Sequence, residues 1–420
     1  MAVIEKTPTK YAASLEDIEK AADALKGHVV RTPLIAAPKL SALTGAEVFV
    51  KYENLQFTNS FKDRGAYLKL SSLNEDERKR GVIAISAGNH AQAVAYHAGR
   101  LNIPAIIVMP EGTPFVKVGN TEALGAKVVL SGETLLESRG MADEIAQERN
   151  LTFVHPYDDP LVITGQGTVG LEMLADEPDL DMIVIPIGGG GLIAGCALAA
   201  KALKPEIEII GVEADLFPSM FHGVRGEQPT CGGQTLAEGI AVKAAGELTL
   251  PIVRDLVSDI ILVDETALER AICTLLTIQK TMAEGAGAAG LAALLKEPER
   301  FKGKKVGLVL TGGNIDPRML ASILVRGLGY EEKIIALRFT IHDQPGVLGK
   351  ISTMLGEAGA NILEVSHRRT LLDVPAKGAS LDIVIETKDA AHAKQIMEKI
   401  KAAGFEAERV RGAEPSSSPY

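Results

Sequence analysis

Thr58-Asn59-Ser60-Phe61-Lys62-Asp63-Arg64-Gly65-Ala66 is the stretch on which the reading of this chain turns. Ser60 followed by Asp63 matches a capping box, so Lys62 is predicted to sit in the first turn of a helix. The helix dipole disfavours a positive charge there, and Arg64 two residues on adds to the penalty. Both effects are expected to lower the pKa of Lys62 and raise its free-amine fraction. A free amine can form an imine with a carbonyl compound. A solvated surface lysine is the plain alternative, and the rest of the chain decides between the two.

Working outward, residues 47–51 read as a short strand leading into that helix. Ser14-Leu15-Glu16-Asp17 caps an earlier helix, and residues 1–13 read as a loose arm. Downstream, strands at 82–85, 105–108 and 127–130 alternate with helices at about 89–100 and 114–124. A second set starts at 182–185, passes a glycine loop and a helix, returns at 207–212 and closes at 306–310. This βαβ rhythm implies parallel sheet. Two α/β layers in one chain place a ligand in the cleft between them. From Lys333 the rhythm changes to strand 334–340, helix 345–358, strands 361–370 and 380–387, helix 390–403 and strand 405–410. That order, βαββαβ, is ferredoxin-like. Gly327-Leu328-Gly329-Tyr330 reads as the linker between the two parts, and residues 412–420 as a disordered tail.

Composition narrows the class. Apolar residues make up 46% and charged residues 23%, as in a globular protein with ample core. The net charge of -10 has no basic block to offset it, which argues against a nucleic-acid surface. The N-terminus lacks the apolar core of a signal peptide, and no apolar stretch is long enough to span a membrane. Cys196, Cys231 and Cys273 are widely spaced in apolar contexts. They read as buried thiols of a reducing compartment, neither a disulfide framework nor a metal site. A cytoplasmic protein is expected.

Three further motifs carry chemistry. Ile185-Pro186-Ile187-Gly188-Gly189-Gly190-Gly191-Leu192 runs from a strand through four glycines into a helix. Backbone N–H groups can converge there on an anion, so a phosphate cradle is expected; a tight turn rarely needs four glycines. It is neither a P-loop nor the spaced dinucleotide fingerprint. Ser86-Ala87-Gly88-Asn89-His90 opens a helix with small residues and suits a carboxylate. His90 admits two readings, an acid–base group or a helix-start histidine. Leu310-Thr311-Gly312-Gly313-Asn314 ends a strand where backbone can approach a ligand. An imine-forming lysine, a phosphate cradle and a carboxylate loop together point to an amino-acid substrate and pyridoxal 5'-phosphate (PLP).

Ser60 to Ala66, Ser86 to Gln92, Gly188 to Leu192 and Thr311 to Asn314 resemble, in order and spacing, the motifs of the fold-type-II PLP enzymes, specifically the threonine/serine dehydratases. The resemblance covers about residues 14–325. The segment beginning Phe339-Thr340-Ile341-His342-Asp343-Gln344-Pro345-Gly346-Val347-Leu348 resembles an ACT domain, a module that binds amino acids. The implied fold is a two-lobed, tryptophan-synthase-β-like α/β catalytic domain over 1–329, its smaller lobe at about 50–155, then an α+β ACT domain over 330–412 and a tail over 413–420.

The resemblance also implies roles. Lys62 would hold the cofactor as an imine and later move the substrate α-proton. Phe61 would pack on the ring, Gly188, Gly189, Gly190, Gly191 and Leu192 hold the phosphate, and Asn89 meet the ring hydroxyl. Gly239 and Glu284 would lie near the ring, and Thr311 at the pyridine nitrogen. Ser86, Ala87, Gly88, Asn89 and His90 would grip the substrate carboxylate. Racemising relatives carry a serine where this chain has Ala87, which cannot donate a proton, so elimination is favoured. Those relatives also bind a divalent cation; Glu213 fits one ligand position, but Phe217 falls where another is wanted, and no metal is expected. The implied reaction is deamination of threonine to 2-oxobutanoate and ammonia. Serine or 3-hydroxyaspartate dehydration, serine racemisation and a non-catalytic amino-acid sensor are the alternatives. An amino-acid effector near Asp343, Gln344, Gly346 and Val347 and a homodimer or homotetramer complete the expectation.

Overall fold

The computed structural model describes residues 11–368 and 378–410. The chain divides into two compact units, Met1–Ile315 and Asp316–Tyr420. In chain order the strands of the first are β1 (Leu34–Ala36), β2 (Glu47–Tyr52), β3 (Val82–Ile85), β4 (Ala105–Met109), β5 (Lys127–Leu130), β6 (Thr152–Phe153), β7 (Met182–Pro186), β8 (Glu208–Ala214), β9 (Asp259–Val263) and β10 (Lys305–Leu310). They form a larger sheet in the order β1-β2-β10-β7-β8-β9 and a smaller one in the order β5-β4-β3-β6. Pairing is parallel throughout except for β1 on β2. Both β4 and β7 are buried along their whole length. Helices cover both faces of such strands, which is why they read as continuous apolar runs and not as alternating ones.

β2 does more than lead into the lysine helix. It lies inside the larger sheet, with Val50 opposite Leu308 of β10. The chain therefore leaves the larger sheet through the Lys62–Ser71 helix, builds the smaller sheet, and returns to the larger one at β7. Lys62 stands where the chain passes between the two sheets. Its helix crosses the Pro160–Asp176 helix closely because neither partner carries a side chain at the crossing. A Cβ on Gly165 would lie 2.8 Å from the Gly65 Cα and 2.9 Å from the Arg64 carbonyl oxygen.

Two expectations change here. The expected arm is packed where it is described: Ala13 is buried, with Tyr11 and Ala12 against the core of the larger sheet. Residues 1–10 lie outside the described residues. Of the three thiols only Cys196 is buried; Cys231 and Cys273 are half-buried. Among the described residues, no helix is long and apolar enough to cross a membrane.

The second unit has the expected βαββαβ order. Its strands are β11 (Ile334–His342), β12 (Asn361–Arg368), β13 (Gly378–Glu386) and β14 (Ala407–Val410), an antiparallel sheet in the order β12-β13-β11-β14. Ile335, Leu337, Phe339 and Ile341 of β11 are buried, with the alternate Arg338, Thr340 and His342 exposed. That period of two pins the register, because a slip of one residue would turn the apolar set outward. The helices Val347–Glu357 and Ala390–Ala402 supply the rest of this core through Ile351, Leu355, Ala393 and Ile396. The expected linker is helical: Gly327 to Tyr330 are the last residues of the Pro317–Tyr330 helix. Glycine in a helix costs about 1 kcal/mol. The Asp316 carboxylate offsets that by capping the amides of Arg318 and Met319, and buried Ile323 anchors the helix. The expected tail lies outside the described residues.

Candidate active site

Lys62 is the first residue of its helix, as expected, but the cap is built differently. The Ser60 Oγ is buried without a hydrogen-bond partner. The Asp63 carboxylate instead reaches back and accepts from the Thr58 amide at 3.0 Å and the Thr58 hydroxyl at 2.6 Å. The residues just before Lys62 are pinned through their backbones. The Phe61 amide donates to the Thr311 carbonyl at 3.1 Å, the Gly313 amide to Asn59 at 3.0 Å, and Ser60 bridges to Gly312.

The half-buried Lys62 side chain donates from Nζ to the Pro156 carbonyl at 2.6 Å. The amine lies 5.1 Å from the centre of the Phe61 ring. Burial, which penalises the ammonium form, pushes its pKa down to about 8, with Glu284 pulling the other way. The lowered pKa was expected; its cause was not. Arg64 turns away and is fully buried in a cluster of its own. Its guanidinium donates to Glu53 at 2.8 and 2.7 Å, to Glu172 at 2.7 and 2.9 Å, and to the Thr168 hydroxyl at 3.1 Å. Lys51 joins through Glu172 at 2.5 Å and the Thr32 carbonyl at 2.6 Å. Two cations face two carboxylates there, so little of the Arg64 charge reaches Lys62.

The glycine loop follows β7 and opens the Gly191–Leu203 helix, in which Leu192 is buried. Gly190 has φ 94, a left-handed backbone that L side chains rarely adopt. A Cβ on Gly189 would overlap the Tyr157 ring, and one on Gly191 would lie 2.8 Å from the Tyr157 carbonyl oxygen. Among the described residues, no carbonyl or side chain outside the helix accepts from the amides of Gly188 to Gly191. Uncommitted amides at a helix N-terminus suit a phosphate. Pro156 and Tyr157 tie the two halves of the site together: the first holds the lysine amine, the second fills the space beside the glycines. His155 braces them, accepting at Nδ1 from the Asp158 amide at 2.7 Å and standing edge-on to Tyr157 with ring centres 4.7 Å apart. The Thr249 hydroxyl donates to the Gly189 carbonyl at 2.7 Å. His155 and Thr249 carry no local signal in the sequence, and only the tertiary fold brings them to the loop.

In the Ser86–His90 loop the Ser86 hydroxyl oxygen accepts from the Gly88 amide at 3.2 Å, and Ala87 packs on the core of the smaller sheet. The Asn89 amide donates to Glu284 Oε1 at 2.7 Å. Burial pushes the Glu284 carboxyl up to about 7, against the Asn89 hydrogen bond. A Cβ on Gly239 would lie 3.6 Å from the same Oε1. His90 is buried, with Nε2 2.9 Å from the Val154 carbonyl oxygen. A carbonyl can only accept, so Nε2 carries the proton. Burial pushes this imidazole down to about 3, so it is a neutral donor. The structure thus gathers Lys62, Phe61, Thr311, Asn89, Glu284 and Gly239 by direct contacts, and the glycine loop through Pro156 and Tyr157.

Glu213 is buried and accepts from the amides of Met220 and Phe221 at 2.8 Å each, capping a short helix. Asp343, Gln344 and Gly346 form an exposed turn between β11 and the helix that Val347 opens.

Residues 25–312 match the family model for pyridoxal-phosphate dependent enzymes. The chain belongs to the pyridoxal-phosphate dependent enzyme family. Residues 335–405 match the ACT domain. This PLP-dependent chain is 45% identical over 395 residues to L-threonine ammonia-lyase of Thermotoga maritima, covering 94% of this chain and 98% of that one. Its fold is similar to that of processed threonine deaminase isoform 2 from Solanum lycopersicum, with 36% identity and a TM-score of 0.70 over 78% of this chain and 92% of that one. It is also similar to maize serine racemase, with 35% identity and a TM-score of 0.70 over 77% of this chain and 100% of that one. The residues present fit the cofactor. The glycine loop presents uncommitted amides for a phosphate, and Lys62 presents a low-pKa amine for an aldehyde.

Proposed function

We propose that this PLP enzyme is a threonine ammonia-lyase, releasing 2-oxobutanoate and ammonia from L-threonine under the control of an amino acid bound at its ACT domain. The observation that carries the reading is the Lys62 amine, held at about pKa 8 and tied through Pro156 and Tyr157 to the glycine loop. Bound PLP supplies an electron sink for charge developing at the substrate α-carbon. Lys62 would hold the cofactor aldehyde at Nζ, and the same nitrogen would accept the substrate α-proton. The amides of Gly188, Gly189, Gly190, Gly191 and Leu192 would hold the phosphate, and Phe61 would pack on the ring. Asn89 would meet the ring hydroxyl, and Glu284 and Gly239 would lie near the ring. Ser86 to His90 hold the substrate carboxylate.

Thr311 would meet the pyridine nitrogen with a hydroxyl. A hydroxyl stabilises a positive nitrogen less than a carboxylate would, which favours prompt loss of the β-hydroxyl. Ala87 has no proton to return to the opposite face, so racemisation lacks its second acid. That distinction matters because maize serine racemase shares the fold. We place the functional boundary at residues 329–330, with an effector at the Asp343, Gln344, Gly346 and Val347 turn and association into a homodimer or homotetramer. The three free cysteines support a cytoplasmic setting.

The test is keto-acid release from threonine, serine and 3-hydroxyaspartate, with and without isoleucine and valine. Threonine should be the best substrate, and removing residues after 330 should abolish any effector response while leaving PLP bound. Lys62→Ala should lower turnover by at least about a hundredfold. Near-native turnover in that variant would sink the assignment.

A further inference from the structure

The polar groups around Asn89 have a direction, and one residue sets it. The Asn314 Nδ2 donates to the Thr58 carbonyl at 2.8 Å and to the Asn89 Oδ1 at 2.7 Å, and Asn314 Oδ1 accepts from Asn59 Nδ2 at 3.2 Å. The Thr58 carbonyl can only accept, so the Asn314 amide nitrogen must face it. That nitrogen's second hydrogen then points at Asn89, whose oxygen must face Asn314. The Asn89 nitrogen is therefore left facing Glu284, to which it donates at 2.7 Å. No link in this series can be reversed while Thr58 keeps its place. Thr58 is itself held by buried Asp63, next to Lys62. Asn89 has one more N–H, with no partner among the described residues.

We propose that Asn314 is a positioning residue that locks the Asn89 side chain, so that its amide N–H groups, and not its oxygen, face Glu284 and the PLP ring. This rests on the cofactor reading above. It assigns Asn89 its donor role through a residue four positions beyond β10, in the motif that runs from Thr311 to Asn314. Asn314 also couples the two sheets. It sits beyond a strand of the larger one, and Asn89 opens a helix packed on the smaller one. A cofactor that needs a donor at Asn89 is thereby favoured only when the two are in register.

Asn314→Asp keeps the shape and removes both donors. It should draw the Asn89 amide toward itself and set the Asn89 oxygen against Glu284. PLP affinity by titration should fall roughly tenfold or more, and the visible absorption band of the bound cofactor should shift. The cofactor-free variant should still fold, with its melting temperature lowered by about 4–8 °C for the two hydrogen bonds removed. Asn314→Ala, which carries no charge, should weaken PLP binding in the same direction and serves if the Asp variant does not fold. Asn59→Gly removes only the contact to Asn314 Oδ1, and Gly tolerates the φ of 58 at that position, so it should bind PLP as the native chain does. Native affinity and an unshifted band in both Asn314 variants would overturn the proposal. So would an affinity loss in Asn59→Gly equal to that in Asn314→Asp. Failure of the native chain itself to bind PLP would instead overturn the cofactor reading.

Discussion

Glu53 and Glu284 are both carboxylates withdrawn from water, and the chain treats them in opposite ways. Against the burial that would push it up, Arg64, Lys51 and the Thr32 hydroxyl hold Glu53 below the usual carboxylate value. Burial raises Glu284 to about 7, with the neutral Asn89 amide the main counterweight and Lys62 a minor one. The first region is balanced charge for charge and fixes where the Lys62 helix sits. The second is left unbalanced beside the reactive amine. A balanced cluster is insensitive to pH near neutrality, whereas an unbalanced carboxylate changes its charge there. Rigidity and responsiveness are thus assigned to separate carboxylates within one site.

Breaking the balance should have the largest effect. Arg64→Met takes from Glu53 and Glu172 the guanidinium that bonds both, leaving Lys51 against Glu172, and an uncompensated buried charge costs about 3–5 kcal/mol. Urea unfolding of the variant reads this directly; a loss below about 1 kcal/mol would show that the cluster is solvated. Removing the imbalance should do the reverse. The folded pKa of Glu284 is raised, so the folded state holds its proton where the unfolded state has lost it. Native stability therefore falls as pH rises from about 4.5 to about 7, and the full penalty applies above that. Glu284→Gln should equal the native chain near pH 4 and exceed it at pH 8 by about 1–3 kcal/mol. Melting curves of the cofactor-free proteins across that range check the sign. A variant less stable at pH 8 than at pH 4, relative to native, would contradict it.

The reactive side of this comparison was the more legible in sequence. Lys62 at a helix start, the strand running into four glycines and the Ser86–His90 turn are local patterns, each contained in a few consecutive residues. The βαβ rhythm and the βαββαβ order were legible for the same reason. The balanced side was not. The partners of Arg64 come from residues 53, 168 and 172, and nothing near residue 64 points to them. Its charge was therefore counted against Lys62, although burial is what lowers that pKa. Ser60 and Asp63 have the spacing of a cap, but Thr58 competes for the carboxylate. Gly327 and Gly329 looked like a linker because glycine weakens a helix, while the Asp316 cap and the Ile323 anchor that sustain it lie earlier in the chain. Asn314 was in view as part of a motif, but its bonds to Thr58 and Asn89 exist only once three segments meet.

The smallest expected effect separates placement from charge. The Thr168 hydroxyl accepts from Arg64 at 3.1 Å, and donates to the Gly165 carbonyl at 2.6 Å within its own helix. Thr168→Val keeps the volume and leaves both carboxylates on Arg64. It removes one neutral acceptor from a guanidinium that retains its ionic partners. The loss should be about 0.5–1.5 kcal/mol, the usual worth of one hydrogen bond. Because the charges still cancel, the pH dependence of PLP uptake should keep its midpoint near the Lys62 pKa of about 8. Stopped-flow absorbance of PLP added to the cofactor-free protein measures that midpoint, and urea unfolding measures the stability. A midpoint that moves together with the small stability loss would mean that the cluster tunes the lysine electrostatically as well as holding its helix.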